Sequence, residues 1–387
     1  MLTLFFRFAL RNTLRHRLRS LLTLAGLIVA ILAFGLLQTI ISAWYAGVNA
    51  ASPNRLISRN AISLTFPLPL AYAERIRAQE GIERLSWANW FGGVYIDESN
   101  FFPSFAVDAP SYFALYPEFV LPAEQQAAFI RDRRGAVVGA KLAKRFGWEV
   151  GDVVPLRGTI YPGNWDFVVR GIYHGRDAST DENQFFFQWD YLNERLRNTL
   201  PGMSNQVGIY LLQLAPGQNA AGVSVRVDAE FRNSLAETLT ETEKAFQMSF
   251  VAMTGAIVSA IEIVSYVVIL IIMAVMANTM AMAARERSRE YATLKALGFP
   301  PHGIGMLVLA ESLLLALAGG AIAVALTPPL ASAISHQLEQ FFPVFAVQTV
   351  TMQHQALAAL GIGCVAAILP ALRAMRIRIT DGLRAIA

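Results

Sequence analysis

The chain is short of charge. Of its 387 residues, 16% are Asp, Glu, Lys or Arg, where an ordinary soluble domain carries about 25%; a disordered, solvated chain is excluded, because such chains are rich in charge and poor in apolar residues. Cysteine is nearly absent. Cys364 stands alone in an apolar run, so no intrachain disulfide, CxxC redox pair or cysteine zinc cluster can form. Catalytic signatures are missing too: there is no GxxxxGK[ST] loop to cradle ATP phosphates, no HExxH and no GxSxG. The five histidines, His16, His174, His302, His336 and His354, are scattered over segments of different character and lack metal-ligand spacing. No catalytic residue and no metal site is expected.

What the chain has in excess is apolar residues, 55%, with a mean hydropathy of +0.42. They are concentrated in runs. Residues 21–41 carry no charge, and about 20 such residues cross the hydrocarbon core as a helix. A second charge-free run covers 263–284. From 302 to 372 there is no Lys or Arg, and Glu311 and Glu339 are the only acids. That stretch is too long for one span; Thr327, Pro328 and Pro329 and the polar patch 335–340 break it, which predicts two spans near 304–327 and 353–372. The expected fold is an α-helical membrane protein with four transmembrane helices and a mixed α/β extracytoplasmic domain between helices 1 and 2.

That domain, 46–250, holds more than half of the basic residues and most of the acids. β-rich runs at 136–139, 153–156, 166–173, 184–188 and 207–214 alternate with expected helices at 70–79, 141–146 and 223–243, the last feeding the second span. Turn residues cluster at 161–164 and 215–218. The other basic residues flank the apolar runs: Arg7, Arg11, Arg15, Arg17 and Arg19; Arg285, Arg287, Arg289 and Lys295; Arg373, Arg376, Arg378 and Arg384. The positive-inside rule puts all three clusters in the cytosol with both termini. The 46–250 domain then faces outward, into the periplasm of a Gram-negative cell, with the chain in its inner membrane. The net charge of +4 is a topology signal and implies no nucleic acid. A signal peptide has an apolar stretch of about 7–15 residues, so the longer 21–41 run predicts an uncleaved first span.

Two cytosolic segments have helical patterns. In 2–19, Arg7, Arg11, Arg15 and Arg19 form one i, i+4 row beside Phe6, Leu10, Leu14 and Leu18, which predicts an amphipathic helix on membrane lipids that turns inward near Ser20. In 285–298, Arg287, Tyr291 and Leu294 share one side, and Gly298, Pro300 and Pro301 supply a stop. A short, charged helix results. Glu311, inside the third apolar run, would cost a few kcal/mol unless paired; Arg285, Arg287 and the N-terminal arginines are in reach, so a structural role in stiffening the join is expected.

Four pieces of the chain resemble one family in order. RNTLRHRLRSLLTLAG is similar to an amphipathic approach to a first span. AVVGAKLAKRFGWEVGDVVPLRG with FVVRGIY resembles a MacB-type periplasmic core. RERSREYATLKALGF with GMLVLAESLLLALAG resembles the MacB/FtsX/LolC permease signature, and ILPALRAMRIRITDGLRAI resembles the family's ending. Ala30 departs, where many members have a glycine.

The resemblance implies a permease of mechanotransmission type: ATP hydrolysis on a separate cytosolic ATPase moves periplasmic domains for export or efflux. The implied segments are an amphipathic helix 1–19, spans 20–45, 251–284, 302–327 and 352–372, a two-lobed core 46–250, a coupling helix 285–301, a short periplasmic segment 328–351 and a basic tail 373–387. Glu286, Arg289, Glu290, Leu294, Lys295 and Gly298 carry over as ATPase contacts or caps. With only 20 residues before the first span, the ATPase is expected on another chain, which alone would bind ATP and Mg. Further implied partners are a second permease copy or homologue, a periplasmic adaptor and an outer-membrane channel. The alternatives are an FtsX-like regulator that transports nothing, switching a periplasmic enzyme, and LolC/LolE-like lipoprotein extraction.

Overall fold

The computed structural model describes residues 17–177, 179–338, 342 and 344–378, without the side chains of His336 and Gln337. The expected surface helix falls outside the described residues apart from its last three, as does the basic tail after Arg378. The chain divides into two compact units, a helical one and a sheet-based one built from 44–253.

Among the described residues the helical unit holds four helices long and apolar enough to cross a membrane: Arg17–Trp44, Gly255–Glu286, Pro301–Leu338 and Thr349–Arg376. At 1.5 Å per residue each exceeds the roughly 30 Å of a hydrocarbon core. Among the described residues the first helix is continuous from Arg17 through Ser20, with no turn at Ser20 itself; Thr23 Oγ1 donates back to Arg19 O at 2.9 Å within the same helix. The third runs through Pro328 and Pro329 to Leu338, where a stop was expected. Proline's φ suits a helix and its cost is the lost N–H donor, which membrane helices tolerate when side chains and neighbours serve the freed carbonyls. The carbonyls freed here are those of Val324 and Ala325; beside them Thr327 Oγ1 donates to Ala323 O at 2.8 Å and Ser332 Oγ to Pro329 O at 2.8 Å.

Small residues let these helices approach closely. Leu27, Ala30 and Ile31 of the first pack with Met276 of the second, Ala316 and Ala323 of the third, and Ala359, Ile362 and Ala366 of the fourth. A Cβ on Gly35 would run into the Gln355 amide. That amide is fully buried and its nitrogen donates to Ile31 O at 3.0 Å and Thr327 Oγ1 at 2.8 Å, tying the first, third and fourth helices. The outward faces are apolar and exposed, as at Val264, Leu270 and Ile271 of the second helix.

The sheet unit is mixed α/β. Its strand order is Thr238–Thr242, Arg55–Asn60, Ile209–Leu214, Ile82–Trp90, Ser104–Val107, Phe185–Gln188, Gly135–Gly139, Gly163–Gly175, Val153–Gly158, Gly93–Val94, with Phe119–Val120 pairing beside Gly163–Gly175. Two pairings are parallel, Phe185–Gln188 with Ser104–Val107 and Gly135–Gly139 with Gly163–Gly175. One sheet thus runs through the unit. Side chains alternate across it: Phe185 and Phe187 face a core with Phe91, Trp165, Phe167 and Tyr210, and Phe186 faces the opposite core with Tyr112, Phe113, Val137 and Tyr173. Helices Tyr72–Arg77, Ala140–Phe146, Trp189–Thr199 and Ala220–Glu230 supply Ile76, Leu142, Leu192 and Val223 to the first core; Ala123–Arg131 and Glu243–Met253 supply Phe129 and Phe246 to the second.

The helix expected over 223–243 is not one element. A helix ends at Glu230, a strand covers Thr238–Thr242, and a new helix starts at Glu243. The alternating threonines explain the strand. Thr238 and Thr240 hydroxyls donate to Asp228 Oδ1 at 2.9 and 2.7 Å, the Thr240 amide donates to Asp228 Oδ2 at 3.1 Å, and the segment pairs with Arg55–Asn60. β-branched residues fit a pleated edge better than a helix. The helix from Glu243 ends at Met253, with a break at Thr254 before Gly255.

Candidate functional site

In the helical unit, Gly255–Glu286 stops at Arg287, whose φ and ψ of −97° and 12° leave the helical region, and a short helix Ser288–Ala296 follows. Its stop is Gly298, at φ +87°, a left-handed conformation that costs glycine little. There the Gly298 amide donates to Lys295 O and the Phe299 amide to Leu294 O, both at 3.0 Å.

This helix has an inner and an outer side. Tyr291 and Ala292 are buried, Leu294 and Lys295 half-buried, and Arg289, Glu290, Thr293 and Leu297 exposed. The side that helical spacing assigned to Arg287, Tyr291 and Leu294 is the inner one. Arg287 Nη1 meets Glu311 Oε2 at 2.7 Å with both side chains buried, so Arg287, one of the arginines in reach, pairs with Glu311. Burial beside this pair pushes the Tyr291 phenol up to about 12.

Two further ties leave the segment. Arg19 Nη1 of the first apolar helix meets Glu286 Oε2 at 2.6 Å. Lys295 Nζ donates to Met375 O and Ile377 O, each at 2.7 Å. The sequence-derived residues therefore separate: Arg289 and Glu290 are on the exposed side, Gly298 is the stop, and Glu286, Lys295 and Glu311 reach other helices.

The sheet unit has a second arrangement that sequence reading missed. Arg55, at the start of its strand, is 6% exposed. Its Nε donates to Glu243 Oε2 at 2.8 Å, its Nη2 to Glu118 Oε1 at 2.5 Å and its Nη1 to Leu115 O at 2.9 Å, while the guanidinium carbon sits 4.2 Å from the Tyr116 ring centre. Glu243 Oε2 also accepts from the Ser52 amide at 2.8 Å. Burial opposes the charge on Arg55, but the Glu118 hydrogen bond and the Glu243 charge outweigh it and hold its pKa above the ordinary value. This cluster walls a cavity of about 470 Å³ whose lining includes Ile57, Ala88, Phe105 and Leu211 of the sheet face. No local pattern could have found it, because its members lie 63 and 188 residues from Arg55.

Comparison with known proteins adds to this geometry. Residues 20–230 match the MacB-like periplasmic core domain, and residues 262–379 match the FtsX-like permease C-terminal domain. The chain belongs to the MacB/FtsX-type permease family. It is thus a multi-pass membrane protein of ABC-type permease character, and the charged helix with its ties to Glu311 and Met375 lies within the FtsX-like part. The periplasmic region of MacB from Actinobacillus actinomycetemcomitans is similar to it at 10% identity and a TM-score of 0.38, covering 52% of this chain and 95% of that one. The extracellular domain of the noncanonic ABC-type transporter YknZ from Gram-positive bacteria is similar at 12% and 0.35, covering 49% and 99%. A permease-protein domain from Porphyromonas gingivalis is similar at 15% and 0.34, covering 49% and 90%. No curated protein matches the chain significantly.

Proposed function

We propose that this MacB/FtsX-type chain is the permease subunit of a mechanotransmitting ABC exporter. A separate cytosolic ATPase binds ATP and Mg, and this chain turns its closure into movement of the sheet unit outside the inner membrane, both termini being cytosolic. It works as a dimer with a second copy or a homologue, and in a Gram-negative cell a periplasmic adaptor and outer-membrane channel complete the path.

The observation that carries the reading is the two-sided helix Ser288–Ala296. Its inner side is anchored through Arg287 to Glu311, while Arg289, Glu290 and Leu297 are exposed at the break between two apolar helices. A helix fixed on one side and exposed on the other suits the role of a lever pushed by a partner. Arg289 and Glu290 are the ATPase contacts, Leu294 holds the inner side, and Gly298 caps the helix.

Two measurements test this. Reversing Arg289→Glu or Glu290→Lys should weaken copurification of an ABC ATPase about tenfold, in the range of a charged interface contact, and leave membrane insertion intact; normal association of both variants refutes the contact assignment. In a Cys364→Ala background, a single cysteine at the exposed Ser99 should react with impermeant thiol reagents from outside the cell, and one at Ser288 should not. Outside labelling at Ser288 would overturn the orientation.

A further inference from the structure

Lys295 carries a positive charge on the segment read as the ATPase-coupling helix, and the family resemblance makes it a contact candidate. Its geometry points elsewhere. The half-buried ammonium donates to Met375 O and Ile377 O, at 2.7 Å each. These carbonyls close the fourth apolar helix, whose last helical residue is Arg376. The final carbonyls of a helix have no intrahelical donor and form its negative pole, so a cation with several N–H donors is the group that satisfies them. Lys295 serves two at once.

The surroundings hold the arrangement in place. Leu294, one residue earlier, and Ile377 pack on the same apolar cluster. At the start of the third apolar helix, a Cβ on Gly305 would meet Met375 Sδ at 2.8 Å, so that helix also lies close against this end of the fourth. At the break that leads into the short helix, Glu286 ends the second apolar helix and pairs with Arg19 of the first, and Arg287 pairs with Glu311 of the third; the short helix itself is joined to the fourth by Lys295.

We infer that Lys295 is a positioning residue: it fastens the charged helix to the C-terminal end of the fourth apolar helix and does not touch the ATPase. A displacement imposed on Arg289 and Glu290 then reaches the fourth helix directly, without passing through the connection into the third. This assignment rests on the coupling reading above for its functional meaning, but the strut itself is a property of the chain alone.

The experiment uses the full chain in lipid nanodiscs, as wild type, Lys295→Met, Lys295→Arg and Glu290→Lys. The first readout is hydrogen–deuterium exchange of peptides covering 371–378. Lys295→Met, which keeps the stem and removes the donors, should speed exchange there about tenfold, as fraying of an uncapped helix end does, and Lys295→Arg should restore protection. The second readout is binding and stimulated hydrolysis of the ABC ATPase that copurifies with the wild type. Lys295→Met should bind it within about twofold of wild type yet stimulate it several-fold less, whereas Glu290→Lys should lose binding. Unchanged exchange in Lys295→Met, or a loss of ATPase binding as large as that of Glu290→Lys, would overturn the inference. If no ATPase binds even the wild type, the coupling reading fails, and the exchange result alone decides the strut.

Discussion

Arg55 and Arg287 are both buried and both paired with glutamate, yet the two units reach that arrangement differently. In the sheet unit, Arg55 collects carboxylates from Glu118 and Glu243, a carbonyl from Leu115 and an aromatic face from Tyr116, gathered from positions far apart in the chain. In the helical unit, Arg287 meets Glu311 across 24 residues of sequence, from the break after the second apolar helix to a position inside the third. The contrast reflects the packing. The sheet unit draws on large aromatics such as Phe91, Trp165 and Phe187, whose burial from water supplies its driving force. The helical unit relies on small residues at helix contacts and leaves much apolar surface outward, the composition of helices packed in lipid, where burial from water no longer drives association.

The largest effect that tests this contrast is in the sheet unit. Arg55→Met strips the cation from two carboxylates, and removal of one partner from a buried pair costs about 3–5 kcal/mol. Five of the six tryptophans, from Trp87 to Trp189, lie in the sheet unit, and Trp44 closes the first apolar helix, so tryptophan fluorescence in a urea melt of the full chain reads mainly the sheet unit's unfolding. Adding Glu243→Gln to Arg55→Met should recover part of the loss. A change below about 1 kcal/mol would mean the cluster is dispensable to the unit.

Exposed leucines sharpen the contrast further. Leu270 of the second apolar helix is 62% exposed and Leu235 of the sheet unit 105%, so accessibility alone treats them alike. If Leu270 faces lipid, Leu270→Asp should cost about 2.5–3.5 kcal/mol in a membrane-insertion assay, as aspartate does at the centre of a span. Full insertion of Leu270→Asp would move that face out of the bilayer core.

A smaller loss is expected from Gly35→Ala. The new Cβ would collide with the Gln355 amide, and overpacking of a tight contact costs about 1–3 kcal/mol. The unfolding midpoint in detergent should fall, and Gln355→Ala in the same chain should recover part of it by opening the space. Smallest of all is Leu235→Asp, whose stability should stay within about 0.5 kcal/mol of the parent, as for most surface changes.

Much of the helical unit is legible in the sequence. Charge-free runs mark its apolar helices because a chain crossing lipid must satisfy its backbone hydrogen bonds within the segment, which makes each helix a local property. The stop at Gly298 and the inner side formed by Arg287, Tyr291 and Leu294 followed from helical spacing. Glu311 was recognisable as needing a cation because so few charges compete there. Local reasoning failed at Thr238–Thr242, read as helix, and at Pro328 and Pro329, read as a stop. In the first place a neighbouring strand and the Asp228 carboxylate overrode helical spacing; in the second a helix continued through residues that usually end one.

The sequence by itself therefore determined four apolar helices, a mixed α/β unit and a short charged helix, since each depends on composition and periodicity over tens of residues or fewer. Tertiary structure alone decided the strand order, the meeting of Arg55 with Glu118 and Glu243, the lodging of Gln355 against Gly35, and the turn of Lys295 away from the exposed side onto the carbonyls of Met375 and Ile377. Those contacts join groups from 63 to more than 300 residues apart, and local propensity carries no record of such partners, because what fixes them is the free energy of the whole packed unit.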